Sequence, residues 1–234
     1  VFCTNLGTDL IRVTNQGGAY AYAWTLNGTA LAQTTTDISI AAGGTYEVTA
    51  TNTLTGCETT KTIVVNESEF PLFDLDDLTV FDLTGDGSNR IEVLTGIGAL
   101  GIGDYEFAFD GGAYQNSPVF EDVPPGIHQV SVRDKNGCGT KSVAASVIGY
   151  PLYFTPNGNG QDDNWHVLGV NGIFQSQSLI YIFDRHGRLL AQIKTNGPGW
   201  DGTYNGTPMP ADDYWFRVGL EDGRTFTGHF SLIR

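Results

Sequence analysis

Oxygen-bearing side chains at alternate positions of a glycine-punctuated loop are the pattern in this sequence closest to a chemical site. In FDLTGDGSNRIEV, Asp82, Thr84, Asp86 and Ser88 are spaced two apart, and Gly85 and Gly87 allow the backbone to wrap tightly. Calcium takes six to eight oxygens at roughly 2.3–2.6 Å, and such a loop supplies several at once. The match to a calcium-loop template is partial, because Glu92 stands one residue short of its twelfth position and Thr84 replaces a carboxylate or carboxamide. A solvated acidic turn accounts for the same residues. A second loop, TPNGNGQDDNW, gathers Asn157, Asn159, Asp162 and Asp163. Only two of these are charged, so the expected calcium affinity is weak, on the order of 10⁻⁴ to 10⁻³ M, and a loop of Asx-turns bonded to itself is the alternative. The run Glu67, Glu69, Asp74, Asp76, Asp77 would gain stiffness if calcium neutralised it. Calcium is therefore the one cofactor these residues suggest.

Covalent and acid–base chemistry find no such support. The sequence has no nucleophile elbow, no HExxH and no phosphate loop, and His128, His166, His186 and His229 sit in four unrelated contexts. His128 alternates with Val130 and Val132, and His229 lies between Gly228 and Phe230, both strand-like settings. No catalytic residue is assigned, and the expectation is a non-enzyme. Trp165, Trp200, Tyr204 and Trp215 would suit sugar stacking, although sandwich core is the commoner fate of such rings. Alternation places Trp215 inside, and Trp200 in PGWDGTYNG is expected to pack as a lid over its own domain.

The elements that hold these residues read as strands. LIRVTN, AYAWTLNG, ISIAAGGTYEVTATN and TKTIVVN alternate apolar and polar positions between Gly, Asn and Thr turns, and no stretch of useful length has a 3.6-residue period. Further on, YEFAF and HQVSVRD alternate likewise, with Asp110-Gly111-Gly112 as a turn and Pro124-Pro125-Gly126 as a break. Two hairpins close the chain. Leu179 to Asp184 and Arg188 to Ile193 meet across Arg185-His186-Gly187, and DYWFRVGL meets RTFTGHFSLIR through Asp222-Gly223. The expected fold class is all-β, three tandem Ig-like sandwiches in a row, spanning residues 1–67, 68–149 and 150–234. Trp24, Tyr22 and Tyr46 are expected between the sheets of the first.

Charge and cysteine content set further bounds. The three segments 1–65, 66–149 and 150–234 carry 2, 4 and 6 basic against 4, 14 and 8 acidic residues, within a total net charge of -14. That field repels phosphate backbones and anionic headgroups, which disfavours nucleic acid and direct lipid partners. No run of 18 apolar residues is present, so no membrane helix is expected. The only Met is Met209 and no basic-then-apolar leader opens the sequence, so Val1 reads as an internal start in a longer precursor. Cys3 and Cys57 flank the first strand-rich segment and are expected to form a disulfide in an oxidising compartment. Two free buried thiols are the alternative. Cys138 follows Asn136-Gly137 in a turn and is left unpaired.

The final 85 residues combine YPLYFTPNGNGQDDNW, YIFDRHGRLL, GWDGTYNG, DYWF and GHFSLIR in order. This stretch resembles the type B C-terminal sorting domain of Bacteroidetes, also called the gliding motility-associated C-terminal domain. It departs from the family at Asn159, where an Asp is usual. The segment GDYEFAFDGGAYQNSPVFEDVPPGIHQVSVRDKNGCG resembles the repeat of large gliding adhesins, and residues 1 to about 67 resemble Ig-like or PKD-like modules of bacterial surface proteins. The resemblance implies a secreted cell-surface adhesin whose last domain is exported across the outer membrane. The implied partners are the type IX translocon and a PorP/SprF-family outer-membrane barrel protein. Gly228, His229, Phe230, Ser231, Leu232, Ile233 and Arg234 are the expected contact. There a free strand edge would add to a partner's sheet while Phe230, Leu232 and Ile233 fill pockets, and the alternative is a closing strand of the sandwich with the docking face elsewhere on the domain. A glycan-binding accessory unit of a secreted hydrolase is the alternative.

Overall fold

The computed structural model describes residues 1–15, 17–82, 88–96, 98–171, 173–221 and 223–234. The chain is all-β, and the helical geometry among these residues is two 3-10 turns, Thr4–Leu6 and Leu75–Asp77. The strands form several sheets consistent with Ig-like sandwich domains. They group into two compact units. The first comprises Val1–Asp77, Leu94–Pro118 and Val130–Val143; the second comprises Leu78–Val93, Val119–Gln129 and Ala144–Arg234.

In the first unit, Asp9–Arg12 pairs with Asp37–Ile40 as one short sheet. The facing sheet runs Thr29–Ala30, Tyr20–Leu26, Gly44–Asn52, Glu58–Val65. Period-two alternation sends Trp24, Tyr46, Val48, Ile38 and Ile40 between the sheets, all buried. Their polar atoms are satisfied as burial requires: Trp24 Nε1 donates to Thr35 O at 2.9 Å and Tyr46 Oη to Ala42 O at 2.7 Å. Burial, with Glu67 nearby, raises the pKa of the Tyr46 phenol. Elsewhere in the unit, Tyr105–Phe109 pairs antiparallel with the chain from Val130 to Asp134.

The cysteine pairing differs from expectation. Cys3 is bonded to Cys138, with Cα atoms 5.3 Å apart, and Cys57 is a free, exposed thiol. The reason is topological. Phe2–Cys3 runs parallel to Glu67–Ser68, beyond the end of Glu58–Val65, whereas Cys57 lies in the turn that precedes that strand. Eight strand residues at about 3.3 Å each hold the two thiols roughly 26 Å apart, far outside disulfide reach. Asp134 brings the true partners together. Its carboxylate, on a residue 1% exposed, accepts bonds from Ser68 Oγ at 2.7 Å and Cys138 N at 3.1 Å. Asp104 N and Asn136 Nδ2 complete the set. Burial alone would raise this carboxyl, but the four donors outweigh it and hold the pKa below the ordinary value.

The second unit contains a five-stranded sheet in the order Tyr153–Phe154, Thr225–Leu232, Asp212–Gly219, Leu179–Phe183, Leu189–Lys194. Both expected hairpins are present, and Gly187 and Gly223 take positive φ values of 78° and 85°. Asp222 lies outside the described residues. A smaller sheet, Val119–Phe120, Arg90–Val93, Leu78–Phe81, belongs to the same unit.

Candidate functional site

The C-terminal motifs converge on one aromatic core. Trp165 and Trp200 exchange backbone hydrogen bonds, Trp165 N to Trp200 O at 2.9 Å and Trp200 N to Trp165 O at 2.8 Å. This bridge joins the NGNGQDDNW and GWDGTYNG segments. Gly199 permits it: its φ is +91°, and a Cβ there would sit 2.6 Å from Trp165 O. The Trp165 ring stacks on Phe230, with centroids 4.0 Å apart and planes 14° apart, while Trp200 meets Tyr214 edge-on at 5.0 Å. The indole N–H groups are satisfied by Pro151 O and Thr203 O. Trp200 is thus the lid over its own domain that its context suggests.

The terminal strand is flanked on both sides only at its C-terminal end, so the expected free edge is closed there and not along Thr225–Phe230. Thr225–Leu232 pairs along its length with Asp212–Gly219, and on its other side Tyr153 and Phe154 cover Ser231 and Leu232. Phe230 and Leu232 are buried within their own domain and cannot fill a partner's pockets. His229, Ile233 and Arg234 remain exposed, Ser231 is half-buried, and half-buried Gly228 packs against Phe216 and the Tyr150 hydroxyl. Trp215, expected inside, is 42% exposed. Tyr214, Phe216 and Val218 take the inward phase of the strand, and Trp215 shares the outward phase with Asp213 and Arg217. By register Phe183, Trp215 and His229 form one row across three strands on that outward face.

The turns that carry these strands are held by carboxylates. Asp184 Oδ1 accepts from the amides of Arg188 and His186, both at 2.9 Å, and the amide bond from Arg188 is the main cause of its lowered pKa. Arg185 is ion-paired with Asp212. Asp163 is the hub of the TPNGNGQDDNW loop. Its oxygens accept Gly158 N at 2.6 Å, Gly160 N at 2.7 Å and Asn157 N at 2.9 Å, and these amides lower its pKa. Asn157 and Asn159 cap the amides of Asn159 and Gln161 through their own Oδ1 atoms, and Asp162 O accepts from Thr155 N. The four residues singled out for calcium therefore share one loop whose side-chain oxygens, Asp162 excepted, face backbone donors.

Asp82 is engaged by partners within its own unit. Its side chain is 2% exposed and ion-paired with Arg224, and its Oδ2 accepts from Ile148 N at 2.8 Å. Thr84 and Asp86 lie outside the described residues, and Ser88 is exposed. Among the described residues, no group of three or more His, Cys, Asp or Glu side chains is arranged to hold a metal ion. Glu67 and Glu69 are spent on the amides of Gly43 and Ile102, and Asp77 on that of Asp74. His128 is buried, with Nε2 2.8 Å from Pro124 O. The Asp82–Arg224 clamp was missed from sequence because 142 residues separate its members. No helix among the described residues is long and apolar enough to cross a membrane.

Comparison with known proteins identifies the function of this region. Residues 148–232, just over a third of the chain, match the family model described as the CHU_C type IX secretion signal domain. The chain thus carries a signal for export across the outer membrane by the type IX machinery, toward the cell surface or beyond. No curated protein matches the chain. Among solved structures it is similar to the three N-terminal domains of the highly immunogenic outer capsid protein of bacteriophage RB49, at 12% identity and a TM-score of 0.31, over 94% of this chain and 90% of that one. The SGBP-B protein of the Bacteroides ovatus mixed-linkage glucan utilization locus matches at 12% identity and a TM-score of 0.25, over 98% of this chain and 64% of that one. PorZ, a surface component of the type IX secretion system of Porphyromonas gingivalis, matches at 12% identity and a TM-score of 0.29, over 82% of this chain and 29% of that one. The chain thus spans less than two thirds of the last two, and none of the three is similar enough to bear on its function.

Proposed function

We propose that this is a non-enzymatic cell-surface protein of the gliding-adhesin type, in which the modules at 1–67 and 68–149 form a stalk and the domain at 150–234 is both export signal and docking element. The observation that carries this proposal is the secretion-signal match at residues 148–232, which falls on the β-unit whose Trp165, Trp200 and Phe230 account for the motifs. The partners are the type IX translocon and a PorP/SprF-family barrel. The docking surface is the outward row of Phe183, Trp215 and His229 with Ile233 and Arg234, since Phe230 and Leu232 are occupied inside. Exposed aromatic residues of this kind are the usual anchors of protein contacts. Calcium in the Asn157–Asp163 loop belongs to the same proposal, as a stabiliser rather than a reactant.

The experiment is co-purification of outer-membrane barrels with the full chain from a type IX-competent host, comparing the parent with the double variant Trp215→Ser, His229→Ser. One barrel recovered with the parent and lost with the variant supports the docking face. Equal recovery with both places the contact elsewhere.

A further inference from the structure

The first unit holds an unassigned groove of about 970 Å³, lined by Leu10–Asn15 on one side and by Tyr20, Tyr22, Ala50, Thr59 and Lys61 on the other. It exists because the two facing sheets differ in extent. Asp9–Arg12 and Asp37–Ile40 are four residues long, whereas Gly44–Asn52 has nine residues and Glu58–Val65 eight. One end of the longer sheet's inner face therefore has no opposing strand. Register fixes which side chains lie there: Tyr22, Ala50 and Thr59 form one cross-strand row, and Trp24, Val48 and Lys61 the next. Lys61 thus shares the inner face with the buried Trp24 and Val48.

We propose that this groove binds an acidic saccharide, a sugar chain carrying carboxylates. Three observations converge. Tyr20 and Tyr22 are half-buried in the groove, two residues apart on one face, so their rings offer successive platforms for the apolar faces of pyranose rings. The Tyr20 and Tyr22 hydroxyls and Lys61 Nζ make no hydrogen bond or ion pair among the described residues, unlike the committed hydroxyls of Tyr46 and Tyr214. Arg12 and Lys61 are the only basic residues of the first 65, and both line the groove. Arg12 shares an exposed ion pair with Asp37 at 3.0 Å, leaving Lys61 as the unpaired cation. In a chain of net charge -14 Lys61 is an unpaired positive charge in the groove, and screening over about 8 Å at physiological salt limits the reach of acidic groups beyond it. An added peptide strand fits less well. A charged side chain turned inward on an edge strand is a device by which sheets refuse strand addition. The proposal supplies the adhesion part of the function proposed above and rests on that reading for its biological role only.

The test uses the full 234-residue chain in isothermal titration with tetragalacturonate as probe and maltotetraose as neutral control. Saturable tetragalacturonate binding is expected, at least about tenfold tighter than maltotetraose and weakened by salt. Lys61→Gln and Tyr20→Ala, checked by circular dichroism, should each weaken it about tenfold. Absence of binding at about 10 mM probe, equal affinity for the neutral sugar, or unchanged affinity in both variants overturns the proposal. So does a peptide alternating valine and glutamate that binds and protects the Thr59–Ile63 amides from exchange, because it assigns the groove to a strand. Export of a cargo by the chain without sugar binding overturns the groove alone; sugar binding without export overturns the sorting role alone.

Discussion

Replacing Phe230 with alanine separates a core ring from a docking contact. The ring is 0% exposed, stacks on Trp165 at 4.0 Å and meets the rings of Phe154, Trp200, Tyr214 and Phe216 between 5.8 and 6.2 Å. Deleting a buried phenyl group costs about 3–5 kcal/mol from lost transfer energy and the cavity left behind. Each aromatic pair adds about 0.5–1.5 kcal/mol beyond area, though such pairs do not sum. The expected loss is therefore about 4 kcal/mol, or a fall of roughly 16 °C in the melting temperature of this unit. Near-UV circular dichroism during heating reads it, because the stacked indole gives the signal. Ile233→Ala and His229→Ala, each exposed and next to a buried residue, should stay within about 0.5 kcal/mol of the parent. A loss below about 1 kcal/mol for Phe230→Ala, or an equal loss for Ile233→Ala, would refute the interior placement.

Other perturbations test other parts of the fold. Removing the Cys3–Cys138 bond, whose members are 135 residues apart, should cost the first unit about 5 kcal/mol on the chain-entropy account, whereas Cys57→Ser should change nothing; calorimetry of Cys138→Ser and Cys57→Ser beside the parent with and without reductant measures both. Because the Asp134 pKa is lower folded than unfolded, its stabilising contribution is full above the unfolded value near 4 and disappears as pH falls through the native one. Asp134→Asn should accordingly melt lower at pH 7 and show a shallower loss below pH about 4; parallel acid limbs in the two proteins contradict this. For the Asp82–Arg224 clamp, Arg224→Ala strands a buried carboxylate and should cost about 3–5 kcal/mol. Asp82→Ala leaves a half-solvated guanidinium and should cost only about 1–3 kcal/mol, and equal small losses in denaturant titrations would remove the clamp from the account.

The strands and hairpins were legible because period-two alternation is a local property: both C-terminal hairpins, with Gly187 and Gly223 in their turns, follow from it. The phase of that alternation was less so. Choosing the inward set in DYWFRVGL requires noticing that Asp213 and Arg217 share the phase of Trp215, which outweighs the size of one indole. Long-range partners were not legible at all. Cys3 with Cys138, and Asp82 with Arg224, depend on topology, and spacing along the chain carries no such information. The calcium pattern at Asp163 shows a related ambiguity, since the oxygens that suit a cation equally suit the loop's own amides.

The most direct measurement places a fluorescent cargo ahead of the full chain in a host with an active type IX system and locates it by surface protease accessibility. The account predicts cargo outside the outer membrane, and reduced export when Phe230→Ala destabilises the second unit. Cargo retained in the periplasm behind a folded, intact parent chain would contradict it.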